Sequence, residues 1–363
     1  MNRVVIALRG LVCLALLCAG VPVSAATNWP TQNGDVTLKD FRFADGEKLD
    51  SLRLHYITLG TPVRDAAGQI TNAVLLLHGT VGSSAQFLIP SFADPLFGQG
   101  EPLDIRKFYV VVPDGIGAGE SSKPSDGLHA RFPHYGYKDQ VLAQHELLDQ
   151  IGVHHLRLVL GPSMGGMQAW LWGETYPNGM DALVALATTP APLNGRNMLW
   201  RQMIVQAIRQ DPGWNGGDYP PGSPPQGWIR TAIPLFTIMT GNAEQLERLL
   251  PLRSEAEKVL GALEAKAKAT DPKNYLYTFE SWADYDPASK LGAITKPILA
   301  INFEDDLLNP PELLRFPSLP GLTHVMLPGG EGSFGHLTAN HADKWAPALK
   351  TFLAKVPGWP ASP

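Results

Sequence analysis

The sequence predicts an α/β fold: a mainly parallel sheet, opened by an N-terminal antiparallel hairpin and interrupted by an inserted helical cap. Three observations carry this prediction. Continuous apolar runs recur at 73–77, 108–112, 156–160, 182–187, 297–301 and 322–327, the pattern of strands buried on both faces. Helical stretches lie between several of them, 140–151 and 164–176 being the clearest, and the second is stopped by Pro177-Asn178-Gly179. Such alternation places helices on both sides of a parallel sheet. Finally, no run between 188 and 297 reads as a central strand. That length far exceeds the roughly 2 to 6 residues of an ordinary α/β connection, so it predicts an insertion.

In chain order, residues 1–25 read as a secretory signal. Arg3 supplies the positive start, 10–23 is uncharged and apolar, and Val23-Ser24-Ala25 offers the small residues cleaved before Ala26. The uncharged run is too short for a spanning helix, and a lipid anchor on Cys18 would want small residues where Leu16 and Leu17 stand. Residues 26–188 then form the first part of the core. It opens with alternating segments at 36–38 and 41–43, a turn at Asp45-Gly46, and Leu52, Leu54, Tyr56 and Thr58 on the return strand. Residues 189–296 are the cap, with helical segments 196–210, 227–240, 243–250 and 254–270 around a Pro- and Gly-rich stretch at 211–226. Residues 297–363 complete the core and end on a helix with Trp345, Leu349, Phe352 and Leu353 on one face.

Composition excludes several functional classes. The 363 residues are 44% hydrophobic and 17% charged, with 36 Gly and 32 Pro, too apolar for a disordered chain and too rich in Gly and Pro for a coiled coil. A net charge of −5 does not suit a nucleic-acid binder. The only cysteines, Cys13 and Cys18, would leave with the signal. The remaining chain could not mispair in an oxidising compartment, nor use a thiol nucleophile. A periplasmic or secreted location is expected, with no membrane association after cleavage.

The chemistry is carried by Gly161-Pro162-Ser163-Met164-Gly165-Gly166, between the run 156–160 and a helix. This is a G-x-S-x-G nucleophile elbow, whose tight turn exposes the Ser163 hydroxyl. A serine needs a base to take its proton and a third group to orient that base. After the run 297–301, Glu304, Asp305 and Asp306 all compete for the acid. Pro310, four residues on, favours Asp306, with Asp305 next. The base is expected at His336, in a Gly-bearing loop after the last strand; His324, His341, His154 and His155 read as packing or surface residues. An oxyanion needs preorganised N–H donors, expected from Met164 and from the loop His78-Gly79-Thr80-Val81-Gly82-Ser83, where Thr80 is assigned. Asp114-Gly115-Ile116-Gly117-Ala118-Gly119 lacks the following helix of a dinucleotide loop and reads as structural. No grouping has metal-ligand spacing, so neither a metal nor another cofactor is expected. The expected partner is a small-molecule acyl substrate, with homodimerisation left open.

Together, His78-Gly79, the loop 114–122, the elbow, Asp306 and His336 resemble the α/β-hydrolase superfamily. Within it, the chain is similar to the homoserine O-acetyltransferase family at four stretches. These are Arg131-Phe132-Pro133 through Tyr137, Gly161 through Ala169, Gln206-Ala207-Ile208 through Asp211-Pro212-Gly213-Trp214-Asn215-Gly216-Gly217, and Asp306 through Pro310-Pro311-Glu312. The resemblance implies an α/β-hydrolase fold with Ser163, Asp306 and His336 as the triad. It also exposes two departures. The family's acid after the catalytic histidine, which holds the amino group of homoserine, is Leu337 here, and its cap arginine for the carboxylate is matched only by a displaced Arg230. A site without these ionic contacts should bind homoserine poorly. The expectation is therefore a serine hydrolase acting on an ester, lactone or activated amide, the alternative being an acyltransferase with the same triad. Trp200, Trp214, Trp228 and Trp282 suggest an apolar or aromatic acyl pocket. The intact elbow, acid and histidine argue against a non-catalytic binding protein.

Overall fold

A computed structural model describes residues 28–220 and 222–360; the expected signal at 1–25, with Cys13 and Cys18, lies outside them. One eight-stranded sheet organises the chain: β1 (Thr31–Arg42), β2 (Lys48–Leu59), β3 (Ala73–Leu76), β4 (Tyr109–Pro113), β5 (Leu158–Pro162), β6 (Leu183–Leu186), β7 (Ile298–Phe303) and β8 (Leu322–Leu327). Their spatial order is β1-β2-β4-β3-β5-β6-β7-β8. β2 runs antiparallel to both neighbours, and all other pairings are parallel.

The hairpin turns where the sequence places it. Gly46 takes φ +95°, its N–H donates to the Phe43 carbonyl at 2.9 Å, and Asp45 accepts from the Glu47 N–H. The two short segments expected before the turn are a single strand, β1, extended back to Thr31. Asn33, Gly34 and Asp35 are poor strand formers held in place by their partners on β2. A Cβ on Gly34 would lie 2.4 Å from the Tyr56 ring, so the glycine lets that ring cover the strand.

Strands β3, β5, β6 and β7 are buried along their whole length. Successive residues point to opposite faces. Ala73, Leu75 and Leu77 join the side covered by α2 (Tyr137–Gln150) and α3 (Met164–Thr175). Val74 and Leu76 join the side covered by α1 (Pro90–Phe97) and α9 (Ala342–Leu353), where Phe92, Trp345, Leu349 and Phe352 pack together. The run 322–327, expected to be buried on both faces, is instead the half-exposed edge strand β8. Leu322 packs on the α2–α3 side and Val325 and Leu327 on the α1–α9 side, each only partly buried because no strand covers the outer edge.

Between β6 and β7 the described residues form α4 (Gly195–Arg209), α5 (Ile229–Thr240), α6 (Ala243–Leu249), α7 (Arg253–Ala267) and α8 (Pro272–Glu280). These helices bury a core of their own around Trp200, Ile204, Trp228, Ile233, Leu263, Tyr275 and Phe279. Helices α1 and α8 have no counterpart in the sequence prediction. Both begin with proline at their first position, and α1 contains Pro95 as well. The helical layer is tied back to the sheet by Asp284, whose carboxylate accepts from the N–H groups of Tyr137 at 2.8 Å and Lys138 at 3.0 Å, capping α2.

Candidate active site

The residues singled out for chemistry emerge at the carboxyl ends of parallel strands, where β4 and β5 depart to opposite sides of β3. Open α/β sheets bind ligands in the crevice this reversal creates. Ser163 follows β5, the Thr80 loop follows β3, Asp306 follows β7 and His336 follows β8.

Ser163 has φ +53° and ψ −118°, a conformation that costs a residue with a Cβ and is held by its surroundings. Its N–H donates to the Leu186 carbonyl, and its carbonyl accepts from the Met167 N–H. The glycines on either side are steric requirements. A Cβ on Gly165 would come 1.9 Å from the Leu77 carbonyl oxygen, and one on Gly161 would come 2.2 Å from the Gly165 backbone. The first turn of α3 thus packs directly on the loop that carries Thr80.

The structure brings Ser163, His336 and Asp306 into one hydrogen-bonded chain. Ser163 Oγ lies 2.8 Å from His336 Nε2, and His336 Nδ1 lies 2.8 Å from Asp306 Oδ2. Asp306 is 1% exposed. Its Oδ1 accepts from the N–H groups of Leu308 and Asn309, and its Oδ2 also meets Asn309 Nδ2 at 3.3 Å. Oδ2 thus already accepts from an N–H of Asn309, and it faces the ring as an acceptor too. Nδ1 therefore carries the proton and Nε2 is free to receive one from serine.

Of the competing acids, Asp305 faces away from the histidine ring. It accepts from Ser333 Oγ at 2.9 Å and from Asn242 Nδ2, joining the histidine loop to the start of α6. Glu304 is exposed and meets the Gly329 N–H. Met164 is the first residue of α3, so its N–H has no intrahelical acceptor. Thr80 lines the same cavity as Ser163 and His336, beside Val81, a β-branched residue at φ +56°. Gln86, which the sequence reading passed over, accepts from the Gly79 N–H and donates to Asn340, linking this loop to the segment carrying His336.

The other histidines weighed in the sequence make ordinary contacts. His78 is buried; its Nε2 accepts from the Gly115 N–H and its Nδ1 donates to the Gly79 carbonyl, while burial lowers its pKa and keeps it neutral. His341 stacks on Phe334, and His324 lies on the edge strand beside Asn302. His154 and His155 pair with Asp149 and Asp181. Asp114 spends its carboxylate on the N–H groups of Ser84 and Glu120, which closes the glycine-rich loop on itself. Among the described residues no cluster of three His, Cys, Asp or Glu side chains could hold a metal ion.

A narrow cavity of about 70 Å³ runs from Ser163 and His336 into the helical layer, walled by Trp200, Ile233, Phe236 and Leu263. Only one of the four tryptophans singled out in the sequence lines it. Trp228 is buried in the core of the helical layer, Trp214 packs on Tyr219, and Trp282 packs toward α2 and α3. Leu337 is in the cavity wall, whereas Arg230 is directed to solvent, 78% exposed and 3.8 Å from Glu264. The cavity wall carries no acidic side chain. Sequence reasoning missed Asn309, whose side chain joins Asp306 to the Ala187 carbonyl, and Arg201, a fully buried wall residue. For Arg201 a signal was present: it stands on the helical face 197, 200, 201, 204, 208, where Trp200, Ile204 and Ile208 are apolar.

Residues 72–335 match the family described as alpha/beta hydrolase fold. Homoserine O-acetyltransferase of Thermobifida fusca (strain YX) is 37% identical over 188 residues, 48% of this chain and 48% of that one, so the match spans about half the length of that relative. Homoserine O-acetyltransferase of Chloroherpeton thalassium is 30% identical over 68% of this chain and 71% of its own. A probable acyltransferase of Methanothermobacter thermautotrophicus is 27% identical over 87% and 96%. Among solved structures, esterase E22 superposes with a TM-score of 0.77 at 21% identity, covering 89% of this chain and 100% of that one. Homoserine O-acetyltransferase from Bacillus anthracis gives 0.77 at 21%, covering 90% and 98%. At such identities these structures speak to the fold.

Proposed function

The chain belongs to the α/β-hydrolase family, in its homoserine O-acetyltransferase-like branch, and from that premise we propose a serine hydrolase that cleaves an ester, lactone or activated amide. The observation that carries the reading is the continuous chain Asp306–His336–Ser163, both links at 2.8 Å. In the proposed reaction His336 Nε2 takes the Ser163 proton as Oγ bonds to the carbonyl carbon. The N–H groups of Thr80 and Met164 receive the oxyanion. The carbon–leaving-group bond then breaks as His336 returns the proton to the departing alcohol or amine. Water, deprotonated by the same nitrogen, attacks the acyl-enzyme and restores Ser163. Asp306 keeps Nδ1 protonated and offsets the charge on the imidazolium.

Water is favoured over homoserine as acceptor because no acidic side chain lines the cavity to meet an ammonium group, the residue after His336 being the apolar Leu337. We also propose export, on the signal pattern in residues 1–25, and acetyl-CoA is a cytoplasmic cosubstrate. The core proposal is tested with a fluorophosphonate probe. It should label the wild type and leave Ser163→Ala unlabelled; no Ser163-dependent labelling ends the proposal. Turnover of acetyl-CoA with homoserine faster than hydrolysis of short-chain esters would favour the transferase. N-terminal sequencing of exported protein, expected to begin at Ala26, tests the location.

A further inference from the structure

A buried cation without a counter-charge lies in the wall of the reactive cavity. Arg201 is 1% exposed. Its Nε donates to Asn197 Oδ1 at 2.9 Å, and the guanidinium carbon lies 5.2 Å and 5.9 Å from the ring centroids of Trp200 and Phe279. Its Nη1 meets no carboxylate, and its polar neighbour is the buried hydroxyl of Tyr137, a neutral group. Among the described residues, no carboxylate forms an ion pair with Arg201. Burying a guanidinium costs several kcal-scale hydration contacts that ring faces replace only in part. The groups around it are neutral, and none of them offsets the charge of the guanidinium.

The cavity wall itself carries Arg201 and Lys266 as cations and no acid. Beside it, sharing Val81, Lys266 and Tyr275, opens a wider cleft of about 900 Å³ with polar residues such as His55, Asp114, Glu120 and Lys123. An acyl group must remain in place through two half-reactions, while the leaving group departs and water enters. The narrow cavity therefore suits the acyl part, and the open cleft suits the leaving group.

We propose that Arg201 binds a carboxylate on the far end of the acyl group, so that the preferred substrates are monoesters of short dicarboxylic acids. The planar fork of arginine can hold such a carboxylate through two parallel hydrogen bonds. This substrate class rests on the hydrolase reading of Ser163, but its test does not need turnover. Binding of the monomethyl esters of succinate, glutarate and adipate to Ser163→Ala is measured by calorimetry against the corresponding dimethyl esters. At least one monoester should bind about 10- to 100-fold more tightly than its diester, the span of one to two charge-assisted hydrogen bonds. Adding Arg201→Met should collapse that ratio to near one, and Arg201→Lys should retain part of it. Thermal unfolding checks the fold of each variant, and Arg201→Gln replaces any variant that does not fold. Equal binding of mono- and diesters throughout the series, or a preference that survives loss of the guanidinium, overturns the proposal. A carboxylate preference in a protein that no fluorophosphonate labels would instead overturn the hydrolase reading and leave the anion site standing.

Discussion

Replacing Asp306 by asparagine changes one atom and, by the geometry of the site, should reverse the polarity of the histidine. The carboxylate has two fixed environments. Oδ1 faces the backbone N–H groups of Leu308 at 2.8 Å and Asn309 at 3.1 Å, and neither can turn. Oδ2 faces His336 Nδ1 at 2.8 Å. An amide oxygen must take the first position, which leaves the NH₂ group pointing at the ring. Nδ1 then becomes the acceptor, the ring proton moves to Nε2, and Nε2 presents a proton to Ser163 where a base is required. In serine proteases the equivalent wrong tautomer lowers kcat by roughly 10⁴-fold, about 5 kcal/mol at 1.36 kcal/mol per factor of ten. The expected result is a fall of about 10³- to 10⁴-fold in kcat/KM for p-nitrophenyl butyrate, with a melting temperature close to wild type. Asp305→Asn, which touches Ser333 and Asn242 rather than the ring, should stay within about tenfold of wild type. Retention of more than a tenth of the activity by Asp306→Asn, or greater damage from Asp305→Asn, would refute the assignment of the acid.

Gly165→Ala drives a Cβ to 1.9 Å from the Leu77 carbonyl oxygen. Both elements are backbone, so urea unfolding should show a loss of about 3 kcal/mol or more, and wild-type stability would contradict the close packing. Burial lifts the Glu174 carboxyl from 4.5 to about 7, and its Oε2 has no partner. The folded chain therefore holds this proton more tightly than the unfolded chain, and stability falls as pH rises from about 4.5 through about 7. Glu174→Gln should flatten that decline in melts across pH 4.5 to 8.5 and raise the melting temperature at pH 8; an unchanged slope counts against the burial cost. Asp284→Ala removes the cap of α2 and should cost about 1 kcal/mol by thermal unfolding, a neutral effect showing that solvent satisfies those N–H groups.

What was legible in the sequence was local. The elbow could be read because Gly161, Gly165 and Gly166 answer to backbone approaches within one turn, so their spacing is visible without a fold. Asp306 could be ranked above Asp305 because the turn ending at Pro310 decides which carboxylate comes back toward the sheet. Buried strands announced themselves as unbroken apolar runs, although β8 did so too, and only the strand order reveals that it has no outer neighbour. Helices α1 and α8 were missed because proline at the first helical position reads as a break when the following packing is unknown. The tryptophans misled for a related reason. Residue type predicts burial, but whether Trp228 faces its own core or the cavity depends on how α4, α5 and α8 pack, which no short window contains.

The contacts between the helical layer and the histidine loop explain why the site and the insertion form one unit. Gly335, immediately before His336, takes φ +61°, and a Cβ there would lie 2.3 Å from the Gly241 carbonyl oxygen. That carbonyl belongs to the junction of α5 and α6. The next residue, Asn242, caps α6 through its Oδ1 and donates through its Nδ2 to Asp305. Asp305 in turn accepts from Ser333, whose hydroxyl meets Thr338 Oγ1 at 3.0 Å, and Thr338 Oγ1 accepts from the Phe334 N–H. His336 is thus enclosed by a network whose anchors lie in the turn after β7 at Asp305 and in the insertion at Gly241 and Asn242. The helices that wall the cavity therefore share contacts with the loop that positions His336. A shift of α5 that widened the pocket would be felt at His336 as well. On the proposed hydrolase reading, substrate fit and proton transfer would be coupled through the α5–α6 junction, so variation in the cavity wall should alter kcat together with KM rather than KM alone.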